Sequence, residues 1–180
     1  NEAYTEEKLG VDMPKFALGL KEKCEEIVPS PKKALLYNLA LEILAGKFSP
    51  LYTRLLDEGL INTAFGKEYF FGRGFATVFF SGESRNPEKV RDEIIAELNH
   101  IKKNGILQED FDICLKKKYG AEIFSYNDVD DLANNLCEAW LNGYGIFDNI
   151  ELYRSITRED VEAVIREGFD VDNICLSVIK

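Results

Sequence analysis

Polar and apolar positions first alternate over residues 14–21, where Phe16, Leu18 and Leu20 fall on one side of an extended segment. A period of two predicts a strand with one buried face. Residues 1–12 are polar and predict a linker, or the start of a longer chain trimmed ahead of its first strand. Pro29-Ser30-Pro31 breaks the chain and caps a helix from about Lys32 to Gly46. Leu35, Leu36, Leu39, Ala40, Ile43 and Leu44 surround much of its circumference, the pattern of a helix buried on several sides. Ser49 and Pro50 then begin a shorter helix with Leu51, Leu55 and Leu56 on one face, stopped by Gly59. Residues 67–72 and 74–82, around Gly72-Arg73-Gly74, are the most β-prone stretch. Their aromatic runs predict a hairpin at the centre of a sheet, its side chains in the core and helices over one face.

Asn86-Pro87-Glu88 is a strong helix start, and Val90, Ile94, Leu98 and Ile101 follow as one apolar stripe up to Asn104-Gly105. A further helical pattern runs from about Glu109 through Phe111, Leu115 and Tyr119 to Leu132, Leu136 and Trp140. Asn127-Asp128 interrupts it, since both side chains compete for backbone hydrogen bonds. After the turn Asn142-Gly143-Tyr144-Gly145 come a short helix over 150–156 and a second one whose Thr157 and Asp160 have capping-box spacing. Residues 173–179 close the chain as an internal strand. The order β-α-α-β-β-α-α-α-β predicts one α+β domain over 1–180, two layers with a largely antiparallel sheet covered by helices.

The formal net charge is −10, and no basic block exceeds Lys116-Lys117-Lys118. This excludes nucleic acid as a partner, because phosphates need a clustered positive surface. No apolar run reaches the roughly 20 residues of a spanning helix, and no signal-peptide pattern opens the chain, so a soluble protein without membrane contact is expected. Cys24, Cys114, Cys137 and Cys175 are widely spaced among apolar neighbours, which predicts buried thiols in a reducing, cytoplasmic compartment. The chain opens at Asn1 without a methionine, as a piece of a longer chain would, or one altered by processing or tag removal.

Candidate chemistry is sparse. His100 is the only histidine, and Glu97 stands three positions before it, but zinc needs three or four protein ligands. No metal is assigned. Gly72-Arg73-Gly74 lacks the Lys-Ser/Thr and strand-to-helix setting of a phosphate loop and reads as a hairpin turn. One histidine and no nucleophile motif leave no hydrolase triad, so no catalytic residue is assigned.

Four segments in order resemble one half of an insulinase or pitrilysin-type zinc metallopeptidase, the family that includes the mitochondrial processing peptidases. They are the strand from Pro14 to Lys21; Ser49-Pro50-Leu51-Tyr52 with Glu58-Gly59-Leu60; Asn104-Gly105-Ile106-Leu107-Gln108-Glu109-Asp110-Phe111; and Ile156-Thr157-Arg158-Glu159-Asp160-Val161. The resemblance implies two similar α+β halves enclosing a chamber, with zinc bound in one half by an inverted His-x-x-Glu-His helix and a further Glu. Nothing in this chain matches that motif, so it resembles a domain of the opposite, C-terminal half. The implied partners are the zinc-binding N-terminal half, in the same or another chain, and a peptide substrate; this chain alone would carry no cofactor and no activity.

Many members hold substrate with an Arg and a Tyr after the helix ending in Gly-Leu. The comparable positions here are Leu56 or Asp57 and, for the tyrosine, Asn62. The pair is not preserved, so neither role is carried over and Asn62 stands only as the one candidate substrate-binding residue; either this branch grips substrate differently or it belongs to a catalytically degenerate partner. The leading expectation is a non-catalytic, chamber-forming domain of a zinc-dependent peptidase. The alternative is a structural or assembly module of the same fold without peptidase activity, and a free-standing enzyme built on Glu97 and His100 is a distant third. In both leading cases the surface that meets the other half should leave exposed apolar area or drive self-association.

Overall fold

A computed structural model of the chain describes residues 3–22 and 29–180. Its strands are β1 (Tyr4–Glu7), β2 (Lys15–Lys21), β3 (Gly66–Gly72), β4 (Phe75–Glu83) and β5 (Ile174–Ile179). Its helices are α1 (Pro31–Ala45), α2 (Pro50–Asp57), α3 (Pro87–Asn104), α4 (Gln108–Ser125), α5 (Val129–Asn142), α6 (Asp148–Ser155) and α7 (Arg158–Gly168), with a single 3₁₀ turn before β5. The sheet runs β1-β5-β2-β4-β3, parallel between β1 and β5 and antiparallel elsewhere.

The register follows from burial. Leu18 stands between Leu176 and Phe80, and Val78 between Leu20 and Tyr69. All six are buried on the helix side of the sheet. Shifting any strand by one residue would turn its apolar set to the other face, so the core itself fixes the pairing. The opposite face, with Ala17, Gly19, Phe79 and Ser177, has no helix over it among the described residues and is only partly buried. This is the predicted two-layer α+β domain.

Helix starts are determined locally. The side chains of Ser30, Ser49, Asn86 and Thr157 each accept a backbone N–H from the first turn they cap, and the first three are followed directly by proline. Thr157 and Asp160 complete the capping box in both directions. On α3, Val90, Ile94, Leu98 and Ile101 form the buried stripe, whereas α1 buries every residue from Leu39 to Ala45. It is the central helix, packed against β3, α2, α4, α6 and α7.

Four expectations need correction, the simplest being that five helices, and not three, lie between the hairpin and the last strand. Residues 4–7 form an edge strand and not a loop, because β5 offers them a parallel partner; Leu176 donates its N–H to the Ala3 carbonyl and Lys180 donates its own to the Glu7 carbonyl. The hairpin is not wholly central: β4 is internal, but β3 is the other sheet edge. Strand alternation turns Phe70 and Phe75 outward, where they lie 52% and 44% exposed and pack on each other. Nor are the cysteines uniformly buried. Cys137 and Cys175 are exposed, on the outer sides of α5 and the sheet, Cys114 is half-buried, and Cys24 falls outside the described residues.

Candidate functional site

The corner between α2 and β3 holds the residues singled out by the sequence. Leu51, Tyr52 and Leu55 anchor α2 in the core, and Gly59 takes a φ of 65° to release the chain, as only glycine does readily. Leu60 and Ile61 then drop back into the core, and both donate their N–H groups to the Leu55 carbonyl. Asn62 follows at once. Its Oδ1 accepts the Ala64 N–H at 2.9 Å, and its Nδ2 donates to Glu83 Oε2, at the end of β4, at 2.8 Å. One amide hydrogen is left to offer, so Asn62 fastens the corner before it can hold anything else.

Leu56 and Asp57 point away from the core, and neither supplies a cationic grip. The arginine of this helix, Arg54, is turned to α3, where it donates to Glu93 at 3.2 Å and to Glu97 at 3.1 Å. That contact also engages Glu97 away from His100, whose Nδ1 lies 3.0 Å from the Asn104 amide nitrogen on an exposed surface. The two residues do not form a site. Among the described residues no three His, Cys, Asp or Glu side chains are gathered as metal ligands. The donor set of the described residues does not fit a catalytic zinc ion.

A buried ionic cluster was not foreseen. Glu42 sits among the apolar residues of α1 and receives Lys67 from β3 at 2.9 Å and Lys117 from α4 at 2.5 Å. Burial pushes its carboxyl up, but the hydrogen bonds from Lys117 and Lys67 outweigh this and hold it at about 2. Burial also pushes the neighbouring Cys114 thiol up, with Glu42 adding to the effect, and it pushes the Lys118 ammonium down. Beside Glu42 lies a cavity of about 90 Å³ reached by Phe48, Ile113 and Cys114. With its carboxylate held as an anion by two lysines, the cluster ties α1, α4 and β3 together.

This geometry, an α+β layer pair with its polar groups engaged internally, has clear relatives. The family model for the peptidase M16 inactive domain matches residues 4–118. The chain belongs to that family, as a domain of the C-terminal, non-zinc-binding half of insulinase-type peptidases. It is 29% identical over 172 residues to the uncharacterised zinc protease YmfH of Bacillus subtilis, covering 93% of this chain and 39% of YmfH. The fold matches that of an M16-like peptidase from Alicyclobacillus acidocaldarius with a TM-score of 0.90 at 23% identity, over 98% of this chain and 43% of that one. A peptidase M16 inactive domain from Pseudomonas fluorescens aligns with a TM-score of 0.80 at 14% identity, over 99% and 43%. The chain thus spans about two fifths of these relatives.

Proposed function

We propose that this domain forms part of the wall of a peptide-binding chamber in a zinc-dependent endopeptidase whose metal, general base and attacking water are supplied by another half. The match of residues 4–118 to the inactive-domain family carries this reading. The polar groups at the α2–β3 corner support it: Arg54 is held by two carboxylates, and Asn62 is bonded to Glu83 and Ala64. The corner is suited to shaping a surface and not to polarising a scissile carbonyl. In the assembled peptidase, Asn62 contributes its one remaining N–H to a peptide carbonyl. The other half would hold the zinc, which when bound would supply the activation of water.

The test is reconstitution. The chain alone should hold no stoichiometric zinc by elemental analysis and leave a peptide library intact. With the zinc-binding half of its parent protein, cleavage should appear and vanish on chelation. Zinc-dependent cleavage by this chain alone, or an inert reconstituted pair, would overturn the reading.

A further inference from the structure

α5 carries its apolar stripe on the wrong side for this domain. Val129, Ala133, Leu136 and Trp140 recur at i, i+4, i+7 and i+11, a single helical face. That face points to solvent: Val129 is 79% exposed, Leu136 49% and Trp140, the sole tryptophan, 81%. Leu141 flanks it at 75%, and Ala139 is the one buried residue among those described in the helix. An amphipathic helix owes its stability mainly to the surface that covers its apolar face. Within the described residues nothing covers this one.

The charge around the stripe restricts what can. Between Lys118 and Arg154 the chain has no lysine or arginine and seven acidic residues, Glu122, Asp128, Asp130, Asp131, Glu138, Asp148 and Glu151. Four of the seven, Asp128, Asp130, Asp131 and Glu138, lie on α5 or at its cap. A second copy would bring this acidic segment against itself, and an anionic membrane would be repelled. A surface with an apolar centre and a rim of lysine or arginine is complementary. More than half the length of YmfH and of the Alicyclobacillus peptidase lies outside the region this chain matches.

We infer that the α5 stripe, with Trp140 and Leu136 at its centre, is the surface on which the zinc-binding half docks through an apolar, basic-rimmed patch. This rests on the proposed pairing with such a half and adds where the two meet and by what chemistry. Central aromatic and aliphatic anchors dominate interface energies, while rim charges mainly set orientation and rate.

The single tryptophan provides the test. This chain, labelled with 5-fluorotryptophan, gives one ¹⁹F resonance, which should shift or broaden when the unlabelled zinc-binding half of the parent protein is added. Leu136→Ser, at an exposed position, should weaken association about tenfold or more without lowering the melting temperature. Asp130→Lys with Asp131→Lys should weaken it as well, and more at low salt. If the halves co-sediment while the resonance stays fixed and Leu136→Ser binds normally, the docking surface lies elsewhere and the chamber reading stands. If the halves do not associate, both are overturned. A resonance that moves with this chain's own concentration assigns the stripe to a second copy and overturns the inference.

Discussion

The Tyr37 hydroxyl occupies the space a β-carbon on Gly168 would need, 1.8 Å from its ideal position. Tyr37 is itself fixed, stacked on Tyr69 at 4.1 Å and on Phe169 at 5.5 Å. The end of α7 can approach α1 this closely only because Gly168 has no side chain. Gly168→Ala should therefore destabilise the domain by about 1–3 kcal/mol through displacement of the stacked rings. Urea unfolding would read this as a lower midpoint at unchanged slope.

The Glu42 cluster predicts an acid limb. A carboxyl held at about 2 against the ordinary 4.5 contributes on the order of 3 kcal/mol. That contribution is fully present above pH 4.5 and is lost as pH falls from there through the folded value near 2. Glu42→Gln should lower stability at pH 7 and flatten the decline between pH 5 and pH 2. Parallel acid limbs for the two proteins in denaturant titrations would refute the assignment.

The Asn62–Glu83 bond separates a structural role from a substrate role. Asn62→Ala should cost about 1 kcal/mol. Combined with Glu83→Ala it should add little more, a coupling visible in a double-mutant cycle. In a reconstituted peptidase, a KM increase for Asn62→Ala but not for Glu83→Ala would mark its free amide hydrogen as the substrate contact. Equal effects would confine Asn62 to fastening the corner.

The capping box at Thr157 gives a further measure. Thr157→Ala removes the acceptor for the Asp160 N–H, at 3.2 Å, and should cost about 0.5–2 kcal/mol. Thr157→Ser should restore most of it. Amide hydrogen exchange in the first turn of α7 would localise the loss.

What the sequence disclosed was mostly local. Ser49-Pro50, Asn86-Pro87 and Thr157 announce their helices because a cap and its first turn lie within four residues. The stripe of α3 was legible because one face repeats through an uninterrupted helix. β1 was not, since Tyr4 to Glu7 are all exposed and their strand character comes from β5, at the far end of the chain. The aromatic hairpin misled for a related reason: Tyr69-Phe70-Phe71 is apolar throughout, but a strand must send alternate residues to opposite faces. Asn62 was found by its position in a motif, whereas its partner Glu83 is set by the fold and carries no local mark. Glu42 looked like one acidic residue in an apolar helix, and only the convergence of β3 and α4 shows why it is there.

The placement of β5 governs how the domain emerges from the ribosome. It lies between β1 and β2, so residues 174–179 complete the sheet for two strands made long before them. Until synthesis reaches them, β2 presents an unpaired edge carrying Phe16, Leu18 and Leu20, and β1 has no neighbour at all. Such an edge is a template for misassembly between nascent chains. Loss of residues 174–179 would thus remove a strand from the interior of the sheet, and β1 cannot join the sheet until β5 has been made.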